Sequence, residues 1–150
     1  MRVVVISEHY HPQIGGAERV SQAIAEASAA EGWDTHVFTS GKPSDVEHLN
    51  DVTIHRFEIS GNMTKGIKGD TRLIRKHLNE LHPEVIVVYA LQTWGADILL
   101  QNGNTAPSGA RVILVPCGLS ALSTLTRRLY YFSYLKRLKR DWQRFDHYIF

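Results

Sequence analysis

The sequence predicts an α/β fold with a doubly wound, mostly parallel sheet. Short apolar runs alternate with amphipathic helical segments, 150 residues suit a single domain, and 43% of the residues are apolar. This composition excludes disordered, collagen-like and coiled-coil proteins. A single cysteine excludes a disulfide framework and a zinc site built from several cysteines. No apolar run approaches the roughly 20 residues that cross a bilayer, so we expect a cytoplasmic protein.

Short apolar segments predict the strands. Residues 3–6 and 85–88 are continuous apolar runs, which is typical of central parallel strands covered on both faces. Residues 52–57 alternate in polarity, so this strand is expected to be half exposed near a sheet edge. The other predicted strands are residues 35–39 and 112–115, with a sixth beginning at 147–150.

Apolar residues at helical spacing predict helices between these strands, over residues 20–27, 73–81, 94–100 and about 123–145. The apolar positions of the last segment recur at less than the 3.6 residues of a helical turn. Its apolar stripe must therefore wander, or the helix must break near Ser133. Residues 59–69 contain three glycines and are predicted to form a mobile loop.

A paired glycine lies where such a sheet binds ligands, in the loop that follows the first strand. Gly15 and Gly16 open the first predicted helix, so their backbone N–H groups and the positive helix end would suit a phosphate or carboxylate. The alternative is that the pair only makes a turn. The G-x-G-x-x-G fingerprint is missing, Thr39 and Ser40 stand where a ribose-binding acid is expected, and no Gly-Lys-Ser/Thr follows. Nicotinamide-binding and P-loop domains are therefore excluded.

Residues 12–20, Pro-Gln-Ile-Gly-Gly-Ala-Glu-Arg-Val, resemble the P-x-x-G-G-x-E-R signature of family 4 glycosyltransferases of the GT-B fold. Residues 31–37, 82–88 and 112–118 resemble, in order, that family's G-H-x-V, x-P-D-V-I-H-x-H and T-x-H-G segments. The resemblance covers the whole chain but only the N-terminal half of such an enzyme. Because the chain stops inside a predicted strand, we expect a C-terminal donor-binding domain to be absent from it.

The resemblance implies transfer of a sugar from a nucleotide-sugar to an acceptor hydroxyl, on a glycan or a lipid-linked molecule, with retention of configuration. This chain would be the acceptor-side domain, residues 1–150, and inactive alone. The nucleotide-sugar is a substrate, so no cofactor is expected, and the class generally works without a bound metal. The alternative is a free-standing Rossmann-like module that binds an anionic ligand or a membrane surface.

The resemblance and the predicted strand ends together give the candidate site. Gly15 and Gly16 would hold the donor phosphates. Cys117 stands where the family usually has a histidine, and it is the catalytic candidate, although a thiol cannot replace the imidazole's proton transfer at neutral pH. The acceptor-binding candidates are His9, Tyr10, Glu18, Tyr89, Gln92, Trp94 and Gly118. Alternatively, Trp94 packs into the core and Cys117 is only a small buried residue.

Basic residues are concentrated near the C-terminus. Residues 121–150 carry seven Lys/Arg against two Asp/Glu, and residues 127–144 interleave these cations with aromatic rings. An anionic membrane surface would bind such a segment, which places the protein on the inner face of the membrane. The alternatives are a solvated or interdomain face whose arginines pair with acids, and nucleic acid. Since no nucleic-acid-binding motif is present, nucleic acid is not expected.

Overall fold

The computed structural model describes residues 1–43, 46–100, 106–117 and 124–149, and it confirms the doubly wound α/β fold. The strands of the main sheet are β1 (Arg2–Ile6), β2 (Asp34–Ser40), β3 (Glu47–Leu49), β4 (Val52–Phe57), β7 (Val85–Tyr89), β8 (Arg111–Val115) and β9 (His147–Tyr148). Their order across the sheet is β3-β4-β2-β1-β7-β8-β9. Only the β3–β4 pair is antiparallel in this sheet of described residues.

Helices cover both faces of this sheet. They are α1 (Gly16–Ala30), α2 (Thr71–Leu81), α3 (Trp94–Leu100), α4 (Leu125–Tyr130) and α5 (Phe132–Asp141), followed by a 3-10 turn at Trp142–Arg144. Alternate residues of β1 point to opposite faces: Val4 and Ile6 pack in the core with α2, α3 and α5, whereas Val3 and Val5 pack in the core with α1. Among the described residues, no helix is long and apolar enough to span a bilayer.

The prediction of a mobile loop over residues 59–69 is wrong. Two short antiparallel strands, β5 (Ser60–Asn62) and β6 (Gly66–Lys68), form a hairpin there. The Asn62 side chain organises it, since its Oδ1 accepts from the backbone N–H groups of Thr64 and Lys65 at 3.0 and 2.9 Å. Its Nδ2 donates to the carbonyl of Gln92 at 3.1 Å, which ties the hairpin to the main sheet.

The prediction of one helix over residues 123–145 is also wrong, and the alternative of a break near Ser133 is confirmed. The chain turns at Tyr131, between α4 and α5. Tyr134 and Leu138 of α5 are buried, whereas α4 has no buried residue. The sixth predicted strand is confirmed as β9, which pairs with β8.

The strand order places a switch point at the centre of the sheet. From β1 the chain proceeds to β2 and β4 on one side, then crosses back to β7, β8 and β9 on the other. The loops that follow β1 and β7 therefore diverge at the carboxyl ends of these two strands. A crevice opens between the loops, and doubly wound sheets bind ligands in such a crevice.

Candidate functional site

A cavity of about 500 Å³ opens at the carboxyl ends of β1, β7 and β8. The loops after these strands form one wall of the cavity, and the β5–β6 hairpin forms another. Tyr131, which lies between α4 and α5, completes the lining. The lining residues are Glu8, Gly61, Asn62, Lys65, Leu91, Gln92, Cys117 and Tyr131. The cavity thus occupies the switch point of the sheet.

The loop after β1 is fixed to the end of β2. The backbone N–H of Ser7 donates to the carbonyl of Phe38 at 3.1 Å, and that of Ser40 donates to the carbonyl of Glu8 at 3.1 Å. The indole Nε1 of Trp94 donates to the hydroxyl of Ser40 at 2.8 Å, from beneath this loop. These bonds hold the backbone of Glu8 at the mouth of the cavity.

Glu8 and Lys65 give the cavity one group of each charge. Burial raises the pKa of the half-buried Glu8 carboxyl, while the positive charges of His9 and Lys65 oppose that rise. The carboxylate accepts hydrogen bonds and the ammonium donates them, and the side-chain amides of Asn62 and Gln92 carry both kinds of group. This set suits a ligand rich in hydroxyl groups.

The loop after β7 holds a strained backbone at the cavity. Ala90 and Gln92 have φ angles of 68° and 62°, in the left-handed region that residues other than glycine rarely occupy. The N–H of Ala90 donates to the carbonyl of Val115 at 2.9 Å, and the N–H of Gln92 donates to the hydroxyl of Tyr134 at 3.0 Å. Strain of this kind concentrates at binding and catalytic sites, where the surrounding structure maintains it.

The buried carboxyl group of Asp97 binds the backbone of the β5–β6 hairpin. The N–H of Met63 donates to Oδ2 of Asp97 at 2.6 Å, and the Asp97 side chain is completely buried. Burial raises the pKa of Asp97 to about 6, against the opposing effects of the hydrogen bonds from Met63 and Tyr134. Asp97 therefore connects α3, α5 and the hairpin that carries Lys65.

The two glycines at the start of α1 differ in their surroundings. A side chain at position 15 would collide with the carboxylate of Glu18. Because Gly15 has no side chain, the Glu18 carboxylate can occupy that space. A Cβ at Gly16 would have nothing within 4 Å. The backbone of Gly16 is thus the part of this helix end that a ligand can approach.

Cys117 is exposed at the cavity, and Tyr89 lies buried beside it. Burial, together with the neighbouring thiol of Cys117, raises the pKa of Tyr89 to about 12. The charge of Glu18 acts in the same direction.

The fold can be compared with those of known proteins. No protein-family model matches the sequence, and no curated protein matches it. Among solved structures, sucrose-phosphate synthase from Thermosynechococcus elongatus matches with a TM-score of 0.50 and 17% sequence identity. The chain has a glycosyltransferase-like fold. The match covers 88% of this chain and 39% of the synthase chain, so this chain spans less than half the length of that neighbour.

Several of the predicted site residues of this glycosyltransferase-like domain come together. Gln92 and Cys117 line the cavity, and Tyr89 lies beside Cys117. Gly15 and Glu18 contact each other at the start of α1 and are not among the lining residues. His9 is exposed on the loop after β1 and does not line the cavity. Gly118 lies outside the described residues.

Two predicted contacts with an acceptor need correction. Tyr10 and Trp94 are 1% and 0% exposed, and both pack inside the cores on either side of the sheet. Their ring faces are closed to a ligand in this structure, which agrees with the alternative that Trp94 belongs to the core. Trp94 still supports the site through its bond to Ser40.

Six cavity residues were missed from the sequence: Glu8, Gly61, Asn62, Lys65, Leu91 and Tyr131. Glu8 comes two residues after a predicted strand, so the rule that ligands bind at strand ends would have found it. Asn62 and Lys65 lie in the segment interpreted as a mobile loop, and no local pattern brings them to the switch point. In the described part of the chain, no group of three His, Cys, Asp or Glu side chains is arranged to hold a metal ion.

Proposed function

We propose that this chain is the acceptor-side domain of a retaining glycosyltransferase, which moves a sugar from a nucleotide-sugar to a hydroxyl of a glycan or a lipid-linked acceptor. The observation that carries the proposal is the polar cavity at the switch point of a glycosyltransferase-like sheet. The start of α1 at Gly16 adds an open helix end in the same domain. The name of the solved neighbour, sucrose-phosphate synthase, is consistent with sugar chemistry on this fold.

In this proposal the acceptor occupies the cavity. Glu8, Asn62 and Gln92 offer hydrogen-bonding groups to its hydroxyls. The oxygen of one hydroxyl attacks the anomeric carbon of the donor from the face that the phosphate leaves, so the configuration is retained. The bond from that carbon to the phosphate oxygen breaks, and the diphosphate leaves with the bonding electrons and takes up the proton of the hydroxyl. The N-terminus of α1 at Gly16 stabilises the charge that develops on this leaving group.

The rest of the donor requires chain outside these residues. The coverage of 39% of the neighbour is consistent with a second domain that binds most of the nucleotide-sugar. Residues 1–150 alone would then bind ligand fragments without turnover, and the complete protein would transfer sugar.

The substitution Gly16→Val tests this function in the complete protein. Its side chain has free space in the fold, so the thermal stability should hardly change, but it would block the approach of a diphosphate. We expect sugar transfer to fall by about a hundredfold, the loss found when one donor to a developing anion is removed. The measurement is release of nucleoside diphosphate from a panel of nucleotide-sugars in the presence of acceptor sugars.

Ala23→Val is the matched control, since it adds a β-branched side chain to an exposed position in the middle of the same helix. It should leave transfer unchanged. Full activity of Gly16→Val would remove the phosphate role of this helix end. No transfer by the wild-type protein from any nucleotide-sugar would reject the glycosyltransferase proposal itself.

A further inference from the structure

An exposed apolar row runs along α4 and the start of α5. Leu125, Leu129 and Phe132 are 75%, 72% and 67% exposed. Leu125 and Leu129 are four residues apart, so they share one side of α4, and Phe132 follows as the first residue of α5. At the turn between the helices, the N–H of Tyr131 donates to the carbonyl of Arg127 and the N–H of Leu135 donates to the carbonyl of Tyr131. Contiguous apolar side chains of this size are rare on a surface that contacts only water.

Exposed cations accompany these apolar side chains on each helix. Arg128 follows Leu125 by three residues on α4, and Lys136 and Lys139 follow Phe132 by four and seven residues on α5. All three cations are exposed, while the opposite side of α5 buries Tyr134 and Leu138 against the core. We call this surface the α4–α5 face; it consists of Leu125, Arg128, Leu129, Phe132, Lys136 and Lys139.

Three further cations of the segment serve the fold. The buried carboxylate of Asp141 forms ion pairs with Arg137, Arg140 and Arg144 at 3.8, 2.7 and 3.4 Å. The second acidic residue nearby, Asp146, accepts from the N–H of Val112 at 2.7 Å. The α4–α5 face therefore has no acidic residue of its own, and within the described residues its three cations have no acidic partner.

We propose that the α4–α5 face docks on a lipid bilayer that contains anionic headgroups. The apolar row enters the boundary between headgroups and acyl chains, and the adjacent cations bind the negative headgroups. A partner that is only anionic would leave the leucines and Phe132 exposed, and one that is only apolar would leave the cations without counter-charge. Tyr131 lies between the two helices and lines the cavity, so docking would bring the cavity close to the membrane surface. This inference does not depend on the proposed sugar transfer.

Co-sedimentation of the protein with vesicles tests the docking. Vesicles of phosphatidylcholine with phosphatidylglycerol should bind the wild-type chain, and high salt should weaken that binding. Vesicles of phosphatidylcholine alone should bind it far less. Leu129→Gln should lower the partition coefficient by about tenfold, through loss of buried apolar area. Lys136→Glu should lower it by at least about fivefold.

Arg111→Glu is the matched control, because it makes the same charge change at an exposed position at the amino end of β8. It should bind as the wild type does, and circular dichroism should show that all variants remain folded. The proposal is wrong if the wild type does not bind anionic vesicles, or if Leu129→Gln and Lys136→Glu bind as well as Arg111→Glu. It is also wrong if the face instead joins two copies of the chain, seen as a dimer in sedimentation equilibrium that Leu129→Gln abolishes.

Discussion

Three imidazoles lie in a row beside the core, and burial favours the neutral form of two of them, His36 and His55. Nδ1 of His36 and Nε2 of His55 are 3.0 Å apart, and the His55 and His77 ring centroids are 6.2 Å apart. Burial lowers the pKa of His55 to about 4, and the neighbouring charges of His36 and His77 add to this effect. Burial also lowers the pKa of His36, although Asp34 opposes it. Protonation of His36 or His55 therefore opposes the folded state.

The pH dependence of the free energy of unfolding should reveal the lowered pKa of His55. The unfolded chain protonates His55 near its ordinary pKa of 6.5, but the folded chain does so only near 4. The free energy of unfolding should therefore fall as the pH falls from about 6.5 to about 4. In the His55→Gln variant, the free energy of unfolding measured with urea should fall over this pH range by about 2 kcal/mol less than in the wild type. His147→Gln, which changes an exposed imidazole, should retain the wild-type fall; an equal fall in His55→Gln would contradict this account.

At the scale of elements, α3 lies unusually close to β1. A Cβ on Gly95 would come within 2.6 Å of Cγ2 of Ile6, which is completely buried and has no space to move. This close approach places the short helix directly under the switch point. From there Asp97 reaches the hairpin and Trp94 reaches Ser40.

Gly95→Ala should consequently destabilise the protein even though alanine favours helices. Overpacking of a core costs about 1–3 kcal/mol, against a gain of about 1 kcal/mol in helix propensity. We expect a net loss of about 1 kcal/mol, measured by thermal or urea unfolding. Gly16→Ala adds the same methyl group where nothing lies within 4 Å, so it should not be destabilising. Equal stability of the two variants would show that α3 can move away from β1.

The elements with strong local patterns were predictable, and those that depend on distant contacts were not. The runs at 3–6 and 85–88 gave β1 and β7 directly, because a buried strand needs continuous apolar residues. The strands β5 and β6 have three residues each, too few for a periodic pattern. Their hairpin depends on Asn62 and on Met63, whose partners Gln92 and Asp97 lie 30 and 34 residues away.

The candidate site divides in the same way. Cys117 and Gln92 follow strands, and the resemblance to the family's motifs at those strand ends located both. The presence of an aromatic side chain does not tell whether the residue binds a ligand or packs in the core. Tyr10 and Trp94 could stack on a sugar by their chemistry, but both lie in the core. Lys65 reaches the cavity only through the fold of the hairpin, which the sequence does not reveal.

For the molecule as a whole, its single cysteine lies at the proposed acceptor cavity. A maleimide adduct on Cys117 would fill space between Glu8 and Gln92. We expect N-ethylmaleimide to remove most of the sugar-transfer activity of the complete protein. The Cys117→Ser variant should transfer sugar and should keep its activity after treatment with the reagent. This variant controls for thiols in the rest of the complete protein. Equal inactivation of Cys117→Ser would mean that the sensitive thiol is not at this cavity.

One border of the main sheet has a consequence for behaviour at high concentration. The strand at that border, β3, has only three residues, and its Glu47 is bound to Arg56 of β4. Long unpaired borders recruit strands from other molecules into fibrils, and short charged ones do not. We therefore expect this border to give little template for amyloid growth.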